Sequence, residues 1–136
     1  MDNETKLTAK LVKSWRQMGA EVLNITGGGR LQTNEGKSFV AQSPGWPDCF
    51  LCHRIWSGFI EFKGPKTVLQ KHQERIIHTL GLTTNVFVVR FLKQAGDMWE
   101  FQVSDSNLIP VLQIVMLGTD GQVAASLLKE LARLEA

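Results

Sequence analysis

The run NVFVVRF, residues 85 to 91, restricts the possible folds more than any other stretch of the chain. It is almost wholly apolar, rich in β-branched residues and shows no alternation, the pattern of a strand covered on both faces. Such a strand needs helices on either side of its sheet. The segments around it supply them. A helix from about Thr67 to Leu80 would carry Leu69, Gln73, Ile76, Ile77 and Leu80 on one face, with Gln73 the polar member of that stripe. Another would start at Asp2 or Asn3, end at Gly19 after Met18, and present Leu7, Leu11 and Trp15. Asp97 to Val103, reached through a turn at Gln94 to Gly96, reads as a further strand, and Glu21 to Ile25 as a short one.

The remaining segments are assigned by turn and helix signals. TGGGR at 26 to 30 is a flexible turn without the lysine and following helix of a P-loop. Residues 31 to 44 read as a long loop or weak hairpin. The tail divides into a helix from about Ser106 to Leu117, with Pro110 near its first turn, and a second from Asp120 to about Leu134. The expected fold class is α/β, a mixed β-sheet flanked by helices with further helices at the C-terminus. One domain is expected over residues 1–136, with a core at 1–105 and a helical extension at 106–136.

Composition excludes several classes. A chain of 136 residues with 43% hydrophobic and 21% charged residues can bury a core without disulfide or metal staples. Its longest apolar runs, Val86 to Val89 and Leu108 to Leu112, fall far short of the roughly 20 residues that span a bilayer. The N-terminal MDNETKLTAK lacks the apolar stretch of a secretory leader, so the expected location is cytoplasmic and no membrane partner is expected. A balance of 15 basic against 13 acidic residues implies no polyanion partner by itself, so the distribution of charge has to carry that argument. Cys49 and Cys52 in CFLCH match the spacing of a haem attachment site. The motif lies in an apolar strand-like run, however, so core thiols are expected rather than haem or a zinc site with His53.

The chemistry concentrates in SPGWPDCFLCHRIWSGFIEFKGPK, residues 43 to 66. Two prolines and a glycine force a turn before Asp48. Asp48 to Cys52 and Gly58 to Lys63 read as a hairpin joined through His53 to Ser57, and Gly64 and Pro65 stop it. With the two-residue period of a strand, Glu61 and Lys63 share one side while Ile60 and Phe62 take the other. The hairpin can bring that side next to Asp48, so two carboxylates and an ammonium would meet at one edge of the sheet. Neighbouring acids in a partly buried site need a cation, and oxygen ligands suit magnesium or manganese. Phe50 and Cys52 follow Asp48 on the same side, so the edge is expected to be shallow. Glu4 lies near Leu11 and Trp15 around its helix, an odd place for an acid. It either frays into water, favouring the helix dipole, or points toward this edge.

GWPD, then EFK thirteen residues after the aspartate, then the Gln of QKHQERIIHTLG and the VFVVR strand together resemble the PD-(D/E)XK nuclease superfamily. The branch most similar is the viral replication and repair nuclease domain, VRR-NUC, over about residues 1 to 105. The resemblance implies a restriction-endonuclease-like core, phosphodiester hydrolysis by in-line attack of metal-activated water, and Mg2+ or Mn2+ as cofactor. It implies that Asp48 and Glu61 bind the metal with the backbone carbonyl of Phe62, that Glu4 acts through water, that Lys63 positions the attacking water, and that Gln73 orients the lysine or metal shell. The implied activity is that of a structure-selective DNA endonuclease on branched, junction-like DNA. Phage-type members act as homodimers in a host cytosol.

Substrate binding would fall to Arg30, Lys37, Arg54, Lys66, Lys71, Arg75 and Arg90, whose phosphate contacts give salt-dependent, sequence-independent affinity. Trp46 would either stack on a base or anchor its turn. Two alternatives stand beside this reading. One is a sequence-specific homing or restriction-type endonuclease on the same scaffold. The other is a non-catalytic nucleic-acid-binding module, which has no reason to hold two acids near a phosphate.

Overall fold

The computed structural model describes residues 3–26, 30–40 and 45–135. In chain order the elements are α1 (Asn3–Gln17), β1 (Glu21–Thr26), β2 (Arg30–Gln32), β3 (Ser38–Val40), β4 (Cys49–Cys52), β5 (Ser57–Lys63), α2 (Lys71–Gly81), β6 (Val86–Ala95), β7 (Met98–Ser104), β8 (Pro110–Leu117) and α3 (Asp120–Glu135). The strands form one mixed sheet in the order β3-β2-β1-β4-β5-β6-β7-β8. Six strands of four residues or more make its body, and the three-residue β2 and β3 extend one margin. Only β5 and β6 run parallel, joined across α2; the other neighbouring pairs are antiparallel. The chain is α/β, as expected.

Helices cover the sheet on both faces, which is why Val86 to Val89 are all buried. On one face α1 and α3 pack together over Ile60, Phe62, Phe91, Trp99 and Phe101. The indole of Trp15 anchors that layer. It lies 6.1 Å from the Phe62 ring, and its Nε1 donates to the carbonyl oxygen of Ala124 in α3 at 2.8 Å. Phe62 in turn stacks on Phe91 at 5.6 Å. On the other face α2 buries Ile77 against Val86 and Val88, with Phe59, Leu69 and Leu80 around them.

Several sequence expectations hold with shifted ends. Gly19 follows α1 with φ +94, a left-handed conformation that costs glycine nothing. α2 begins at Lys71 rather than Thr67 because Gln70 and Gln73 form a capping box that places the helix start there. The stretch from 31 to 44 contains a hairpin, β2–β3, turned through Gly36 at φ +80. Asp2, the three glycines of the TGGGR turn and residues 41–44 lie outside the described residues.

The C-terminal extension is not wholly helical. Residues 110–117 form β8, antiparallel to β7, in place of the expected helix from Ser106 to Leu117. Asp105 closes a turn by accepting from the N–H groups of Asn107 and Ile109, and Leu108 adopts φ +64 within it. Pro110 then enters the sheet at an irregularity in the ladder, at the strand's first residue, where its missing N–H is tolerated. Leu112, Ile114 and Met116 face the α1–α3 core while Val111, Val115 and Leu117 face outward. That two-residue period was hidden because both sides are apolar. The last helix, expected from Asp120, is α3.

Replacing Trp15 removes both the central aromatic of the larger core and the hydrogen bond between helices. Trp15→Ala is expected to lower unfolding free energy by about 3–5 kcal/mol. Trp15→Phe should lose less, both measured as urea midpoints at constant m-value.

Candidate active site

The register of the β4–β5 hairpin builds the site. Cys49 stands opposite Ile60, so the next position on each strand sets Asp48 against Glu61. The strand period then places Glu61 and Lys63 on the α2 side and Ile60 and Phe62 on the α1 side. Asp48 has left the ladder, and its Oδ2 accepts from the backbone N–H of Phe62 at 2.7 Å while its own carbonyl accepts from Ile25 N at 2.6 Å. The Phe62 ring is on the opposite face, so this residue meets the acids only through its main chain.

Lys63 Nζ lies 3.3 Å from Glu61 Oε2, and both side chains are buried, Glu61 at 2% exposure and Lys63 at 7%. Gln73 reaches the same oxygen from α2, with Nε2 at 3.5 Å. Its amide orientation follows from the capping box: Oε1 accepts from Gln70 N at 2.9 Å, which turns Nε2 toward Glu61. Glu4, at the start of α1, sends Oε2 to the N–H of Gly64 at 3.0 Å and to the Thr67 hydroxyl at 3.4 Å. It therefore neither frays into water nor lies among the core residues. It holds the segment that follows Lys63, and its charge is felt by Asp48.

Burial drives the two acids toward neutrality, and a neighbouring carboxylate adds to it at each, Asp48 at Glu61 and Glu4 at Asp48. Loss of hydration is the larger cause for each. It raises Glu61 from the ordinary 4.5 to about 8 and Asp48 from 3.8 to about 6. The negative charge of Asp48 adds to the rise at Glu61, and Lys63 opposes it; at Asp48 the Phe62 N–H is the main opposing influence. Two acids so placed titrate as a pair.

Three expectations about the site's surroundings are corrected. The acids lie at the ends of the interior strands β4 and β5, not at a lateral edge of the sheet. The site is also shallow only at Asp48, which is half-buried, and deep at Glu61 and Lys63, which are buried; the aromatic side chains near it pack on one another, Phe50 4.7 Å and Trp46 5.8 Å from Phe59. Trp46 thus anchors its turn while keeping an exposed edge. Finally, Cys52 is exposed and is no core thiol, unlike Cys49, whose thiol is pushed far up by burial. Three positions apart on one strand, the two sulfurs face opposite sides, so CFLCH cannot converge on one ligand.

The predicted DNA-contacting residues separate into groups. Lys66 is exposed on the segment after β5, and Lys71 and Arg75 are exposed on the side of α2 opposite Gln73. Lys37 in the β2–β3 turn and Arg54 in the β4–β5 turn are exposed at the opposite end of the strands. About 3.3 Å per residue puts Arg54 on the order of 20 Å from Glu61. The side chain of Arg30 lies outside the described residues. Arg90 is committed elsewhere: its Nη1 donates to the carbonyls of Gly64 and Thr67, each at 2.6 Å.

That clamp, the Gly64 N–H and the Thr67 hydroxyl were not anticipated. The signal for Gly64 was the GP pair after EFK: a Cβ there would lie 3.2 Å from both Glu4 Oε2 and Thr67 Oγ1. A cleft of about 320 Å³ between α1 and β1 opens onto Glu4 and Asp48, lined also by Thr8 and Asn24. Among the described residues no cluster of three or more His, Cys, Asp or Glu side chains is arranged to hold a metal. The donor set is the Asp48–Glu61 pair, which matches the one or two carboxylates by which magnesium is usually held while it keeps several waters.

No model of a known protein family, no curated protein and no solved structure matches this chain. No described helix is long and apolar enough to cross a membrane.

The raised acids make a signed pH prediction. Their folded-state values exceed the ordinary ones, 3.8 and 4.5, so between those and the raised values the folded state binds more protons, and their contribution to stability is lost progressively, by about pH 6 for Asp48 and about pH 8 for Glu61. The metal-free melting temperature of the unmodified protein is expected to fall up to about pH 8 relative to Glu61→Gln, which lacks the Glu61 titration. Parallel melting curves for the two proteins in EDTA would show the site is not strained by charge.

Proposed function

We propose that the chain is a metal-dependent DNA endonuclease that hydrolyses phosphodiester bonds, with a PD-(D/E)XK active site resembling that of the VRR-NUC branch. The observation that carries this reading is the half-buried Asp48 set against the buried Glu61, with Lys63 3.3 Å from Glu61 Oε2 and Gln73 facing the same oxygen. A non-catalytic binding module gains nothing from two acids held in mutual repulsion beside a phosphate.

The residues fit a hard divalent cation, because each carboxylate is oxygen-only and their shared repulsion is what a cation relieves. Mg2+ or Mn2+ bound there would supply Lewis-acid charge and acidify water. Asp48 and Glu61 would hold it, the Phe62 carbonyl is the adjacent main-chain donor, and Glu4 would act through water. Lys63 presents an ammonium, preorganised by burial, where negative charge develops on the attacked phosphate. Gln73 keeps the Glu61 carboxylate turned toward the lysine. Glu4, Thr67 and Arg90 hold the segment after Lys63 in place, so Arg90 is a positioning residue in this reading rather than a phosphate contact.

Lys66, on the segment after Lys63, and Lys71 and Arg75, on the face of α2 turned away from Gln73, supply exposed basic charge on the elements that follow the acids. Phosphate contacts of this kind grip the backbone without reading bases, which favours DNA structure over DNA sequence as the cue and makes branched substrates the first to test.

The expected result is magnesium-dependent, EDTA-sensitive cleavage of fork or four-way junction DNA in preference to linear duplex. Asp48→Ala and Glu61→Ala should abolish cleavage while folding and DNA binding persist. Lys63→Met should lower turnover roughly a hundredfold or more with little change in affinity. Equal losses of turnover and affinity would reduce Lys63 to a simple phosphate contact. Absence of cleavage with either metal on all three substrates, or cleavage unchanged in Asp48→Ala, would overturn the assignment.

A further inference from the structure

β8 ends the sheet: among the described residues its one hydrogen-bonded neighbour is β7. The other side of this eight-residue strand therefore presents main-chain donors and acceptors without a strand to pair them. Natural edge strands are normally protected by charge, by brevity or by a covering element. The segment PVLQIVML carries no charge, and α2, the one helix on that face, packs against β6 rather than β8.

The outward side chains have a symmetry of their own. Ile109, Val111, Val115 and Leu117 are 57%, 41%, 55% and 71% exposed, and they are placed evenly about Gln113. In an antiparallel pair of two such strands crossing at Gln113, Val111 of one copy meets Val115 of the other and Ile109 meets Leu117. Gln113 alone meets itself, and an amide that both donates and accepts can satisfy its twin. Its Nε2 already donates to Glu100 at 3.2 Å. Partner positions in this register are of like parity, so the same faces of the two sheets align, and outward-pointing backbone groups meet outward-pointing ones. A two-fold axis demands this self-complementarity, and a parallel pairing or a shift by one residue destroys it.

We propose that β8 is a homodimer interface in which two copies of this chain pair antiparallel about Gln113 to make one continuous sheet. The proposal rests on the strand edge alone and does not depend on the nuclease reading. A single-strand contact buries less than the roughly 1,600 Å² of a standard interface, so association is expected to be concentration-dependent.

Sedimentation of the full chain from about 1 to about 500 μM, the range in which modest interfaces are half-formed, tests it directly. A reversible monomer–dimer equilibrium is expected. Val115→Lys, which sets an exposed ammonium against Val111 of the second copy twice per dimer, should weaken it about tenfold or more. Register is tested by cross-linking in a Cys52→Ser background, which removes the exposed native thiol and stays informative even if the lysine variant fails to fold. Gln113→Cys should oxidise to a covalent dimer by itself, whereas Val111→Cys should do so only when mixed with Val115→Cys. A monomer at every concentration, a dimer indifferent to Val115→Lys, or self-cross-linking of Val111→Cys as efficient as that of Gln113→Cys would each overturn the proposal.

Discussion

The candidate site depends on two carboxylates forced together by strand register. Once Cys49 faces Ile60, Asp48 and Glu61 are neighbours, and the packing that buries Phe62 on one face also buries Glu61 on the other. Glu61 cannot reach solvent without unpairing the hairpin, while Asp48 stays half-buried beside the cleft between α1 and β1. The surrounding polar contacts answer that constraint: the Phe62 N–H on Asp48, and Lys63 and Gln73 on Glu61. Each favours the charged state of a group that burial pushes toward neutrality, and together they leave both acids raised.

The contacts around this pair form a continuous support. Gln73 serves two purposes with one amide, capping α2 through its oxygen and reaching Glu61 through its nitrogen. The position of the helix start and the orientation of the site are therefore the same fact. On the other side, Glu4 and Arg90 hold the turn after Lys63 from opposite directions, one accepting from Gly64 N and the other donating to Gly64 O. A segment gripped at both its donor and its acceptor keeps Lys63 from swinging outward, and such restraint of a supporting shell is what a preorganised charge requires.

Much of this could be read from the chain, and what failed did so for local reasons. The buried strand at 85–91, the hairpin around CFLCH and the side shared by Glu61 and Lys63 rest on short-range periodicity, which survives folding. Glu4 was visible as an acid out of place on its helix, yet its partners, Gly64 and Thr67, lie 60 and 63 residues away. Arg90 and Arg54 looked alike as basic residues near the motif. Only the fold shows that Arg90 is consumed by two carbonyls and that Arg54 sits at the far end of the strands. Residues 110–117 form a strand that the sequence does not reveal, because apolar side chains on both faces show no contrast between inside and outside.

The sequence by itself therefore determined the α/β class, the strand that must be covered twice and the alternation that groups Glu61 with Lys63, because these follow from backbone geometry over a few residues. Tertiary structure decided the depth of the acids, the roles of Glu4 and Arg90, and the sheet edge at β8. Those depend on which distant segments meet, and burial, charge compensation and an unpaired edge are properties of that meeting rather than of any one segment.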